Sequence, residues 1–206
     1  MAQEGELNRL AKVVRGAQKD LDTLGHRWAL VGGLAVAVRA EPRFTRDVDL
    51  AVAVADDKTA EKLIFQLHGL GYRAITSLEH EVTGRLATIR LTPPVEAPRA
   101  VILDLLFASS GIESEVVANA TAVEVFADVV IPVASTGDLI ALKLLARDDR
   151  RRPQDYDDLM ALLAEAPAAE IERARESVRL VTERGYHRKR DLMTSLDRLL
   201  REGLDR

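Results

Sequence analysis

The chain has 206 residues, 47% of them hydrophobic, which suits one compact domain with a sizeable core and a small helical appendage. It contains no cysteine, so disulfide frameworks, thiolate zinc sites and cysteine nucleophiles are excluded, and any metal has to be held by oxygen or histidine. A net charge of −4 argues against a protein that coats nucleic acid, although a local basic patch could still grip a tRNA end or a triphosphate.

Met1-Ala2-Gln3-Glu4-Gly5-Glu6 lacks the basic and then apolar run of a signal peptide, and no later stretch approaches the ~18 apolar residues of a membrane span. A cytoplasmic protein with no membrane partner is expected. Leu7, Leu10, Val14, Ala17, Leu21 and Leu24 recur at helical spacing, predicting a helix over residues 6–24 that ends near Gly25. Trp28-Ala29-Leu30-Val31 reads as a short buried strand, and the alanine-rich run after Gly32-Gly33 as a helix opening directly on the glycines. Pro42 makes residues 41–45 a loop. From 47 to 54 carboxylates and apolar residues alternate and then give way to a wholly apolar run, as in a strand buried on at least one face.

A helix over 57–70 follows, then strands at 72–76, 84–91 and 100–107, and two short strands between 122 and 134 around Asp128. Ser135 and Asp138 have capping-box spacing ahead of the apolar helix 139–146, which Arg150-Arg151-Arg152-Pro153 ends. Helical spacing then continues through Leu159, Leu162, Leu163, Ile171, Ala174, Val178, Val181, Leu192, Leu196 and Leu199. The expected fold class is α+β, a mixed sheet flanked by helices with a C-terminal helical bundle. Residues 1–134 would form the core with its N-terminal helix, and 135–206 a helical region packed on it.

Asp47 and Asp49 stand two apart on a strand, so both carboxylates leave the same face. Adjacent acids repel, and a hard cation such as Mg²⁺ is the usual remedy in an all-oxygen site. Taken alone, an Asp-x-Asp pair is more often a solvated strand end. Asp104, however, lies inside Val101-Ile102-Leu103-Asp104-Leu105-Leu106-Phe107, where a carboxylate is buried unless a cavity reaches it, and buried acids need a partner or a metal. If its strand lies beside 47–54, three carboxylates converge into a usable two-metal site. Gly32 and Gly33, between a strand and a helix, would let a phosphate approach backbone N–H groups and the positive end of the helix dipole.

Val31-Gly32-Gly33 followed by Asp47-Val48-Asp49-Leu50 resembles the signature of the DNA-polymerase-β-like nucleotidyltransferase superfamily. The longer string Arg43-Phe44-Thr45-Arg46-Asp47-Val48-Asp49-Leu50 is similar to the AbiEii/AbiGii-toxin type of bacterial nucleotidyltransferase. So is Asp138-Leu139-Ile140-Ala141-Leu142-Lys143 with Arg151 and Asp155-Tyr156-Asp157-Asp158-Leu159. The resemblance spans roughly residues 28–163. It implies a mixed sheet with Asp47, Asp49 and Asp104 as catalytic metal ligands for two Mg²⁺ ions, Mn²⁺ being an alternative, and Gly32 and Gly33 at the nucleotide triphosphate. Many relatives carry serine where this chain has Gly33, so backbone donors have to suffice there.

Lys143 is the one charge in an eight-residue apolar helical segment; it either snorkels from a core helix or, as the resemblance implies, contacts phosphate. Asp155 and Asp158 share a helix face, and either could orient Lys143 or the acceptor at the nucleotide site, while Asp157 points elsewhere. Arg43, Thr45 and Arg46 flank the metal strand and, with Arg150 to Arg152, could meet phosphates. His26, His68, His80 and His187 have no metal-ligand spacing, and His80 reads as part of a charged hairpin tip.

The expected activity is transfer of a nucleoside monophosphate from a nucleoside triphosphate to an acceptor hydroxyl with release of pyrophosphate. By resemblance, the leading role is the toxin of a toxin–antitoxin pair acting on tRNA, with a cognate antitoxin as partner. Alternatives are an aminoglycoside or lincosamide nucleotidyltransferase, a protein-nucleotidylating enzyme, and a catalytically silent antitoxin or binding module.

Overall fold

The computed structural model describes residues 2–81, 83–94, 101–148 and 153–204. The chain runs α1 (Ala2–Thr23), β1 (Trp28–Val31), α2 (Gly32–Arg39), β2 (Asp47–Val52), α3 (Asp57–Gly69), β3 (Arg73–Glu79), β4 (Leu86–Thr92) and β5 (Ile102–Leu106). It continues with α4 (Glu113–Asn119), β6 (Thr121–Phe126), β7 (Val129–Val133), α5 (Thr136–Ala146), α6 (Gln154–Glu165), α7 (Ala168–Glu183) and α8 (Leu192–Leu204). The seven strands form one mixed sheet in the order β3-β4-β5-β2-β1-β7-β6. This is the expected α+β architecture.

Local chemistry accounts for the boundaries. Gly25, at φ +74°, adopts the left-handed turn that stops α1. Asp128 takes the same region, φ 60°, at the tight turn between β6 and β7. Ser135 caps α5 by accepting from the Asp138 N–H, and its hydroxyl donates to the Asp138 carboxylate, as the capping-box spacing predicts. The seven-residue α4 has no counterpart among the expected elements, being too short to show a helical period. Residue 100 and the 150–152 arginine cluster lie outside the described residues.

The central strands are apolar on the side away from the functional residues. In β2, Val48 and Leu50 are buried while Asp47 and Asp49 are half-buried, and in β4 Ala87, Ile89 and Leu91 are buried while Thr88 and Arg90 are half-buried. That alternation holds the register, because a slip by one residue would exchange the two faces. Helices α1 and α4 pack on β2, and α2 bridges from β1 and β2 to α5 and α6.

Helix α5 is buried along most of its length, and its second residue explains how closely it meets α7. A Cβ on Gly137 would clash with the Glu170 carbonyl and lie 2.8 Å from Arg173 Cβ and 2.9 Å from the Ala174 nitrogen. Asp138 adds a polar lock. Its fully buried carboxylate accepts from Ser177 at 2.6 Å, from Ser135 at 2.9 Å and from Asn119 at 3.1 Å, joining α5 to α7 and α4.

Gly137→Ala therefore tests the packing by its sign. Helix propensity alone would stabilise by up to about 1 kcal/mol, whereas overpacking against a neighbouring backbone costs about 1–3 kcal/mol. Urea unfolding is expected to show a net loss; a net gain would contradict the close approach of α5 to α7.

Candidate active site

Strand register brings the site together. Asp49 lies opposite Val31 across the antiparallel β1–β2 pair and opposite Asp104 across the parallel β2–β5 pair. Asp104 in turn lies opposite Arg90 across the antiparallel β4–β5 pair. Directly opposed residues share a sheet face, so Asp47, Asp49, Asp104 and Arg90 emerge together. All four line one cavity of about 710 Å³, together with Gly32, Gly33, Arg43, Thr45, Arg46, Lys143 and Asp155.

The two glycines make room for side chains as well as ending a strand. Gly32 has φ +68°, and the Asp49 carboxylate lies against it where a Cβ would project. A Cβ on Gly33 would stand 2.5 Å from Arg43 Nη2 and 3.1 Å from Thr45 Oγ1. Each glycine is thus packed by a residue of the Arg43–Asp49 segment, which gives the thirteen-residue interval between the motifs a physical meaning. The first turn of α2 has neither a side-chain cap nor an acid of its own, and Gly32 and Gly33 at its start line the cavity.

Across the cavity a buried ion network ties three segments together. The Lys143 ammonium, with its side chain 11% exposed, meets Asp155 at 2.8 Å and Asp158 at 2.7 Å. Asp158 also pairs with Arg43, whose Nη2 donates to it at 2.8 Å while Nε stands 2.6 Å from its other oxygen without a hydrogen bond. Both aspartates hold Lys143, so the choice between them that the sequence left open resolves as a shared role. Asp157 is exposed and points away, as their helical spacing predicts. Arg46 is exposed with its guanidinium 5.7 Å from the Phe44 ring centroid, and the Thr45 hydroxyl donates to the Asp47 carbonyl at 3.4 Å.

Asp104 is buried, and its partner is Arg90. Nε donates to Oδ1 at 2.9 Å and Nη2 to Oδ2 at 2.7 Å, a bidentate pair. These hydrogen bonds raise the guanidinium pKa above its ordinary value, with the charges of Asp104, Asp47 and Asp49 acting in the same direction. Among the described residues, no three histidines or acids stand as a ready cation cage. The oxygen-only donors on one open face and the Gly32 cradle for Asp49 do fit a hard cation at Asp47 and Asp49. The third carboxylate is on the same face with both oxygens engaged by Arg90.

Two arginines that line the cavity, Arg90 and Arg188, escaped the sequence reading. Arg90 was legible in principle, because the alternation of β4 turns Thr88 and Arg90 away from the buried Ala87, Ile89 and Leu91. Arg188 carried no such signal. It sits in the turn between α7 and α8, where Arg188 (φ 52°) and Lys189 (φ 57°) are both left-handed, a strained arrangement for residues with side chains. Tyr186 anchors this turn against Gly111 and stacks on His80 with ring centroids 4.1 Å apart, and Arg190 donates to the Leu145 and Arg147 carbonyls. His80 does sit in the β3–β4 hairpin connection, but buried against Tyr186, and burial followed by the nearby Arg188 charge lowers its pKa.

Removing one member of a buried ion network costs about 3–5 kcal/mol because the remaining charges lose their compensation. Lys143→Met is expected to lower stability by that order, so its effect on nucleotide affinity has to be read on the folded fraction. In a double-mutant cycle, Lys143→Met with Asp155→Asn should lose less than the sum of the two single changes by denaturant unfolding. Additive losses would contradict the coupling.

Comparisons with known proteins bear on the fold and the family. No curated protein sequence matches the chain. An antigenic nucleotidyltransferase-like protein from Paracoccidioides brasiliensis shares 18% identity over 91% of both chains, with a TM-score of 0.53, which shows a common fold. The lincomycin-bound lincosamide antibiotic adenylyltransferase LnuA is more distant, at 16% identity and a TM-score of 0.46 over 75% of this chain and 97% of its own. The antibiotic-resistance factor ANT(2″)-Ia stands at 19%, with a TM-score of 0.48 over 94% and 90%. The model of the family described as nucleotidyl transferase AbiEii toxin, type IV toxin–antitoxin system, matches residues 18–205, beyond the 28–163 span over which motifs are recognisable. On that match the chain belongs to the AbiEii nucleotidyltransferase family and is a nucleotidyltransferase.

Proposed function

We propose that this nucleotidyltransferase moves a nucleoside monophosphate from a nucleoside triphosphate to a hydroxyl of tRNA, releasing pyrophosphate, as the Mg²⁺-dependent toxin of a toxin–antitoxin pair. A cognate antitoxin protein would complete the pair. The observation that carries the reading is the in-register row of Asp49 and Asp104 beside Asp47, facing the Lys143 network across one cavity. Such a cavity combines the acids a phosphoryl-transfer site needs with cations for the phosphates.

Asp47 and Asp49 would hold the divalent cations, which supply charge neutralisation at the phosphates and activation of the attacking hydroxyl. The first turn of α2 at Gly32 and Gly33 would donate N–H groups to the triphosphate, in line with its lack of a side-chain cap. Lys143, aimed by Asp155 and Asp158, would bind a phosphate oxygen at the cavity edge. Asp104 would serve as the third ligand or receive the proton of the acceptor hydroxyl, with Arg90 held on both its oxygens in the resting structure. Arg46 and Arg188 give the cavity rim a positive charge suited to the backbone of a nucleic-acid acceptor.

Asp49→Asn keeps the volume that fills the Gly32 cradle and removes one negative charge. The variant should fold like the parent by circular dichroism and transfer label from a nucleoside triphosphate to tRNA at least ~10³-fold more slowly at saturating Mg²⁺, by analogy with loss of one oxyanion donor. Toxicity on induction should fall in parallel. A folded Asp49→Asn protein with parental transfer and toxicity would contradict a cation site built on Asp47 and Asp49.

A further inference from the structure

The third carboxylate of the row is already spoken for inside the fold. The Asp104 side chain is 9% exposed, and both its oxygens accept from the single guanidinium of Arg90. The two residues face one another in the β4–β5 register, as Asp104 faces Asp49 in the β2–β5 register, so Asp49, Asp104 and Arg90 lie in sequence across three adjacent strands. A buried acid next to other acids requires positive charge. Arg90 supplies it from the neighbouring strand. Its side chain is 43% exposed on the cavity side, so it can leave the carboxylate without a buried charge of its own and turn to an incoming phosphate.

We propose that Arg90 and a divalent cation compete for Asp104: Arg90 is the resting partner of the third carboxylate, Asp104 becomes a cation ligand only when Arg90 releases it, and Arg90 thereby sets the cation affinity of the nucleotide-free site. The proposal rests on the reading of the cavity as a cation-dependent nucleotide site and adds a positioning residue to it. A site arranged this way binds cation weakly until the negative charge of a triphosphate draws Arg90 away, so cation and nucleotide bind with mutual reinforcement.

The test is Mn²⁺ binding to the full chain without nucleotide, followed by electron paramagnetic resonance, with folding checked by circular dichroism. Arg90→Met should bind Mn²⁺ about 10-fold more tightly than the parent, within the range that residues around a metal site exert on its affinity. Arg90→Lys, which keeps a charge but cannot engage both oxygens, should fall between them and serves if the methionine variant folds poorly. Asp104→Asn should change parental affinity little, yet abolish the gain when combined with either Arg90 variant. Unchanged or weaker Mn²⁺ binding in both Arg90 variants, or a gain that survives Asp104→Asn, would overturn the competition. If the parent binds Mn²⁺ and Asp49→Asn binds it equally well, the cavity is not the cation site and the functional reading fails with the proposal.

Discussion

Strand register is the constraint on which the rest of this molecule depends. Four adjacent strands place Val31, Asp49, Asp104 and Arg90 in one row, and the apolar alternation of the opposite face holds that row in place. Sliding β2 by one residue would send Asp47 and Asp49 into the core and Val48 and Leu50 into the cavity, exchanging several buried side chains for unpaired charges. The same residues that stabilise the sheet therefore fix the spacing of the carboxylates. Gly32 completes the geometry from β1, since a side chain there would occupy the place of the Asp49 carboxylate.

A second layer of order comes from charges removed from water. Lys143, Asp155, Asp158 and Arg43 form a network that joins α5, α6 and the segment leading into β2. Buried ion pairs contribute little net stability, because desolvation offsets much of the attraction, but they penalise misplacement strongly. Through Arg43 the network packs onto Gly33, so the lysine helix, the aspartate helix and the turn at the start of α2 are mutually positioned. Asp138 plays a different part from Lys143 despite their shared motif: it is wholly engaged by Ser135, Asn119 and Ser177 and anchors α5 to its neighbours.

Much of this was legible in the sequence where a residue violated its surroundings. Asp104 inside an apolar strand and Lys143 inside an apolar helix both announce a burial problem that only partners can solve, and the structure supplies those partners. The Asp47–Asp49 alternation showed which face they share, and the capping residues marked where α5 begins. The partner of Asp104 was harder to see, because choosing Arg90 requires the strand order and register, which are set by contacts between segments distant in sequence. Arg188 lay beyond reach for a related reason: a turn becomes part of a cavity only through the packing of Tyr186 on Gly111 and His80. Sequence motifs recognisable over 28–163 also left the last two helices unassigned, whereas the family match extends over them.

The central claim is that the acid row and the Lys143 network serve one cation-dependent nucleotide site. A crystal structure of the protein with Mn²⁺ and a non-hydrolysable nucleoside triphosphate analogue tests this most directly, since anomalous scattering locates the metal independently of the protein density. The account predicts Mn²⁺ bound by Asp47 and Asp49, with the triphosphate between Gly32-Gly33 and Lys143. Metal and triphosphate bound together elsewhere on the chain, with this cavity empty, would contradict it.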